Sequence, residues 1–193
     1  EVESEGRTAT GWAETPLSVA WVWPSGLGYQ DREDRLKKFC EILRSDLTKN
    51  LEEGHPFVAG HRYIEDRLHD RLDEENAGRD EVANMPQLAA LVCLSAFDLA
   101  LYDAFGKLND VGAFECLDQK WLGEKDLSHF LEPAAKFVGK YPADYLVKPE
   151  MEQPVWHLVG GLDPISDSEL TGEEPDDGYP VLLRHWIQRD GLK

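Results

Sequence analysis

The chain has 193 residues, 41% apolar and 30% charged, with 38 Asp and Glu against 20 Lys and Arg and a net charge of −18. That is too apolar for a disordered chain, and the length supports one domain or one and a half, hiding roughly 70% of the unfolded surface. A phosphate backbone or an anionic membrane needs a basic face, and no stretch approaches the ~20-residue apolar run of a membrane helix, so neither nucleic acid nor a membrane is an expected partner.

Cys40, Cys93 and Cys116 are odd in number, far apart and without a CxxC pair. They read as reduced thiols of a cytoplasmic protein, with no disulfide framework or zinc knot. No signal peptide is visible, and the first residue is Glu1, so the true start is expected upstream.

Glu1 to Thr15 alternates, with Glu5-Gly6 as turn material, and predicts a hairpin whose second arm runs from Arg7 to Thr15. Its incomplete edge implies an upstream partner strand. The stretch Trp21-Val22-Trp23-Pro24-Ser25-Gly26-Leu27-Gly28-Tyr29 breaks regular structure, and its aromatics either pack under the loop or line a pocket. From Asp31, Leu36, Phe39, Cys40, Leu43 and Leu47 recur at helical spacing. A more polar helix is expected from about His61 to Glu75, held by Ile64, Leu68 and Leu72. Pro86 opens a third, apolar on nearly every side from Leu88 to Phe105, which marks a central helix covered from several directions. Gly106 and Gly112 mark its end.

After Trp121-Leu122-Gly123 comes a shorter helical stretch, then a Pro- and charge-rich link from Tyr141 to Gln153. Pro154 to Gly161 is a short apolar run closed by Gly-Gly, as a buried parallel strand would be. A long acidic loop, Leu162 to Gly178, precedes a predicted helix from Tyr179 to Arg189 with Leu182, Leu183, Trp186 and Ile187 inward. One strand, one loop and one helix make the opening unit of a β/α array, so both ends of the chain are expected to be truncated.

No phosphate loop, GxGxxG, HExxH or GxSxG motif is present. His61, Glu65 and His69 share a helix face at i, i+4 and i+8, but Arg62, Arg67 and Arg71 beside Asp66, Asp70 and Glu75 favour a solvated helix laced with ion pairs. Asp167-Ser168-Glu169-Leu170-Thr171-Gly172 opens like a calcium loop. Its twelfth place is Gly178, not the bidentate Glu, so a solvated loop is favoured. Asp98 and Asp103 interrupt the apolar helix. Asp103 has Lys107 one turn on, and Asp98 reads as a buried carboxylate bonded to a neighbouring segment in preference to a functional acid.

Gly11-Trp12-Ala13-Glu14-Thr15-Pro16-Leu17-Ser18 and the helix Ser95-Ala96-Phe97-Asp98-Leu99-Ala100-Leu101-Tyr102-Asp103-Ala104-Phe105-Gly106-Lys107-Leu108 resemble the enolase superfamily. The likeness is to the branch of mandelate racemase and muconate lactonizing enzyme, whose G-W-G-E-x-x-P strand and A-x-D-x-A-x-x-D-x-x-G-K helix these stretches match. Ala13 replaces the second Gly of the first motif. The resemblance implies an α+β capping domain (antiparallel sheet plus helices) over residues 1–150 without its first strand. Residues 151–193 would then be the first strand, loop and helix of a TIM-type (β/α) barrel.

It further implies a Mg2+-dependent enzyme that removes a proton α to a carboxylate, leading to racemisation, dehydration or cycloisomerisation of a small carboxylate substrate. The Lys-x-Lys base and the carboxylate metal ligands would all follow Lys193. No catalytic or metal residue is therefore assigned to this chain, which is expected to be inert alone. By the same analogy Trp23, Ser25 and Tyr29 belong to a substrate-capping lid, and Val159 and Gly161 to the pocket floor. Family members are often oligomers, so a homo-oligomer is compatible with the likeness, though no self-complementary patch can be read. The alternative is an acidic helical protein-binding module with no catalytic activity.

Overall fold

Two adjacent left-handed residues, Glu5 (φ 51°) and Gly6 (φ 73°), reverse the chain after four residues. Such a turn matches the right-handed twist of strands, and it pairs β1 (Val2–Ser4) antiparallel with β2 (Arg7–Ala9), Val2 opposite Ala9 and Ser4 opposite Arg7. The second arm stops at Ala9, well short of Thr15. Beyond it, backbone groups are satisfied by side chains of a helix instead of a ladder: the Thr10 carbonyl accepts from Lys107 Nζ (3.3 Å) and Trp12 N–H donates to Asp103 (2.7 Å).

The computed structural model describes residues 1–148, 152, 154, 158–160, 163–172, 174 and 178–191. It divides into two compact units, Glu1–Val147 and Lys148–Lys193. In the first, a short α1 (Val19–Val22) leads to α2 (Tyr29–Asn50), whose Leu36, Phe39 and Leu43 are fully buried. His55 caps α3 (Pro56–Tyr63) by accepting the Phe57 N–H at Nδ1 (3.1 Å), with Pro56 where its missing N–H costs nothing. A π-helical turn, Ile64–Leu68, joins α3 to α4 (His69–Asn76). The widened turn shifts the register, so the straight i, i+4, i+8 alignment of His61, Glu65 and His69 is lost.

That turn carries Arg67 onto Asp46 of α2. The guanidinium donates through Nε and Nη2, both at 2.9 Å, while Tyr63 Oη donates at 3.0 Å and Asn50 at 3.1 Å. Only 8% of the Asp46 side chain is exposed. The paired Arg67 and the hydroxyl hold its carboxyl down at about 2.

The long helix α5 (Gln87–Asn109) ends where Asp110 turns left-handed (φ 54°). Gly106 belongs to the helix itself, because a Cβ there would lie 2.7 Å from the Val111 carbonyl oxygen. α5 packs on α2, α3 and the hairpin, and its buried face mixes the small Ala89, Ala90, Cys93 and Ala104 with Leu94 and Leu108. Coverage is one-sided: Leu88 is 42% exposed and Leu99 51% exposed. The segment Glu81–Asn109 is long and apolar enough to cross a membrane by length and composition, against the reading that no such run exists. Only 28% of that apolar window is buried; the helix is covered on one side by α2, α3 and the hairpin and carries Asp98 and Asp103. Past α6 (Gln119–Leu122), three short 3-10 turns follow at 127–129, 134–136 and 142–145 in place of the expected helical stretch. Asp126 ties the first of them to the Gly139 N–H (2.6 Å).

The second unit holds a 3-10 turn at Asp167–Glu169 and α7 (Leu183–Asp190), closed by Gly191 at φ 63°. The described residues are therefore helical in class, with one two-stranded sheet. This corrects the expectation of an α+β capping domain followed by a barrel unit. The hairpin has no third strand among the described residues, and Pro154, Leu158, Val159 and Gly160 carry no strand. Val155, Trp156, His157 and Gly161 lie outside the described residues. A parallel strand holds only between neighbours; here Leu158 is 86% exposed and the Gly160 N–H is taken locally by Asp163 (2.6 Å).

Asp46→Asn is expected to cost about 2 kcal/mol in urea unfolding at pH 7, since it removes a charged acceptor of three donors. The folded carboxyl sits below its ordinary 3.8, so the stabilisation is complete above that pH and lost as pH falls from about 4 to about 2. Wild type and variant should converge over that window.

Candidate functional site

The two motifs that suggested a family meet in space. Gly11 of the segment after β2 lies directly on α5: a Cβ added there would be 1.9 Å from the Ala100 carbonyl oxygen and 2.6 Å from Ala104 N. Only a residue without a side chain allows that approach. Beside it Asp103 accepts both the Trp12 N–H (2.7 Å) and Lys107 Nζ (2.6 Å), while Lys107 also reaches the Thr10 carbonyl. Lys107 and the Trp12 N–H hold the Asp103 carboxyl below the ordinary range. Ala13, the residue that departs from the motif, is exposed and has room for its methyl group.

Asp98, one turn and a residue earlier on α5, faces α3 at a second glycine. Its Oδ1 is 2.5 Å from where a Cβ of Gly60 would lie. Among the described residues no hydrogen bond to it is seen, so the expected bond to a neighbouring segment is replaced by plain steric fit. Burial pushes its carboxyl pKa up, and the hydroxyl of Tyr102, one turn on, is pushed up by burial and by Asp98.

Between the hairpin, the 51–56 turn and α5 lies an open cavity of about 840 Å3. Leu101, Phe105 and Trp121 form its apolar wall, with Phe105 edge-on to His55 (4.7 Å) and to Trp121 (5.7 Å). Glu3, Glu5, Glu52 and Glu53 line the same space, and no Lys or Arg does. His55 is buried and its pKa is lowered by that burial. With Nδ1 accepting from the Phe57 N–H, its proton sits on Nε2, and the Cys116 backbone partly offsets the effect of burial. Glu52 is paired with Arg62, and Glu3, Glu5 and Glu53 leave the wall unfavourable to a carboxylate.

The predicted capping residues are placed differently. Trp23 is 2% exposed, a core side chain with the Arg35 guanidinium 4.5 Å above its ring. Its carbonyl accepts from Arg32, which also reaches the Gly28 carbonyl at 3.4 Å. Ser25 Oγ donates to the Val82 carbonyl and accepts from Leu27 N–H, both at 3.2 Å. Tyr29 starts α2 and is 55% exposed. The segment from Trp23 to Gly28 is thus wrapped around Arg32 and fastened at Ser25. Val159 belongs to the second unit, 38% exposed, and Gly161 lies outside the described residues.

Compared with protein-family models, with curated proteins and with solved structures, the chain matches none.

Among the described residues no group of three or more His, Cys, Asp or Glu is arranged to hold a metal ion. The ligands of the Mg2+ that the resemblance implies are expected to follow Lys193, and none is drawn from these residues. In the acidic loop Glu169 caps Ser166 (N–H to Oε2, 2.7 Å), Asp167 pairs with Arg184, and Glu174 binds the Thr171 and Gly172 N–H groups. Glu173, Asp176 and Asp177 lie outside the described residues. The sequence reading missed the cavity and the Asp46 cluster. For the cavity there was a signal in Glu52-Glu53-Gly54-His55-Pro56, a turn opening directly into a helix.

Gly11→Ala is expected to lower stability by about 2–3 kcal/mol, because the methyl meets backbone that cannot rotate away; Ala13→Ser, at an exposed site, should change it little. Urea titration of both checks this. Asp98→Asn should raise the thermal midpoint at pH 7. The native carboxyl titrates above 3.8, so the wild-type fold loses stability as pH rises from 3.8 through the raised value, and the amide removes that loss. Melting curves at pH 4 and pH 7 should show the gain at pH 7 and little at pH 4.

Proposed function

We propose that this chain is the substrate-capping part of a magnesium-dependent enzyme of the enolase superfamily, in the mandelate racemase and muconate lactonizing branch, acting on a small carboxylate by abstraction of its α-proton. One observation carries the reading: the two family-like motifs are bound to each other, Trp12 N–H to Asp103 across 91 positions of sequence, with Gly11 against the Ala100 carbonyl. Motifs that match by accident have no reason to interlock through the residues that define them. The role assigned is one of shape. Gly11, Asp103 and Lys107 hold the hairpin segment on α5, and no base or ion ligand is drawn from the described residues.

The test is α-proton exchange in D2O, followed by NMR, with a panel of 2-hydroxy carboxylates and sugar acids. A full-length protein containing this sequence, supplied with Mg2+, should exchange at least one of them, and the 193-residue chain alone none. Exchange by the short chain, or none by the longer protein across the panel, overturns the proposal.

The second reading, an acidic helical module that grips a partner protein, is favoured by the exposure of Trp12 (79%) and Trp21 (67%). It requires the 193-residue chain to be folded and monodisperse alone, with binding indifferent to magnesium and weakened by Trp21→Ala.

A further inference from the structure

We propose that Cys40 and Cys93 are an oxidation site, in which a neutral peroxide converts the two thiols into a disulfide joining α2 to α5. The two side chains occupy one gap between the helices. Cys40 Sγ lies 4.0 Å from the Cys93 carbonyl oxygen, and Cys93 Sγ lies 3.7 Å from the carbonyl of Leu36, one turn before Cys40 on the same face of α2. Each sulfur therefore rests against the backbone of the other's helix. Ala89 and Ala90, both fully buried, line α5 near this crossing and let the helices come close. Cys116 stands apart, its thiol turned to the Ala113 carbonyl of its own segment (3.1 Å).

Access decides the order of events. Cys40 is partly exposed and Cys93 is 1% exposed. The Cys93 thiol lowers the pKa of Cys40, whereas burial and its neighbour raise that of Cys93, so the thiolate forms at Cys40. This sulfur attacks one oxygen of the peroxide; the O–O bond breaks and hydroxide leaves, taking the displaced proton as water. The resulting sulfenic acid is attacked by the Cys93 sulfur, the S–S bond forms, the S–O bond breaks and a second water departs. Two thiols lose two electrons and the peroxide is reduced to two waters. An uncharged oxidant suits a chain of net charge −18, which repels anionic ones.

Treatment of the reduced protein with stoichiometric hydrogen peroxide tests this, read by non-reducing peptide mass mapping. The expected product is one linked species joining the Cys40 and Cys93 peptides, lighter by two hydrogens, with Cys116 still free and alkylatable. Its thermal midpoint should rise by about 5 °C and return on reduction, because the bond constrains the unfolded chain. Cys116→Ser should leave the link intact and Cys40→Ser should abolish it. Peptide mapping of the unaltered protein decides the matter even if a variant fails to fold. A sulfinic Cys40 beside a free Cys93 thiol, a link through Cys116, or retention of all three thiols overturns the proposal.

Discussion

At Gly11 there is no space for a methyl group, and the architecture of the first unit depends on that. The hairpin is too small to stand alone, since two strands of three residues bury almost nothing between them. It holds its place because the chain after β2 lies against the backbone of α5 and surrenders its polar groups to that helix. Trp12 gives its N–H to Asp103 and Thr10 its carbonyl to Lys107. A contact between backbones tolerates no substitution by rotamer change, whereas one between side chains usually does. The same device recurs where Gly106 admits the Val111 carbonyl, while at Gly60 the close neighbour is the Asp98 side chain. Three glycines thus set how closely α5 is approached.

A polar counterpart fixes the segment 56–76. The π-turn costs helix regularity, and in return it turns Arg67 to the buried Asp46, which Tyr63 and Asn50 also reach. A carboxylate withdrawn from water persists only when its lone pairs are filled, so α2, the π-turn and the end of α3 are fixed together. The position of α3 then sets that of His55, which forms part of the wall of the acidic cavity. The ion pair at one end of α3 and His55 at the other are thus linked through a single helix.

What could be read from the chain alone was its local periodicity. Leu36, Phe39 and Leu43 marked α2, Pro86 the start of α5, and Glu5-Gly6 the hairpin turn, because each of these signals is carried by neighbours within a turn or two. The π-turn was not legible, because its cause is a carboxylate 21 positions away on another helix. The loop holding Trp23 offered two readings, aromatics packed under the loop or lining a pocket, and Trp23 follows the first; the lid role of Trp23, Ser25 and Tyr29 rested on analogy with the family. Arg32, the fourth residue of α2, is the anchor around which that loop wraps, and nothing in its own helix announces it. The apolar run after Pro154 invited a barrel strand, yet hydrophobicity cannot say whether a partner strand is present. The described residues carry none.

The distribution of charge bounds what this chain can contribute to any chemistry. Arg35, Arg62, Arg67, Arg71 and Arg79 are each engaged with an Asp or Glu, and Arg35 also covers Trp23. These guanidiniums are what a carboxylate substrate would seek. They are occupied by the protein's own acids, Arg62 by Glu52 of the open cavity beside the hairpin, whose wall also presents Glu3, Glu5 and Glu53. Recognition of an anion by charge must therefore come from other groups. What the helices supply is a rigid hairpin edge held at Gly11 and Asp103, with the exposed Trp12 indole at its end, a contribution of contour and not of attraction.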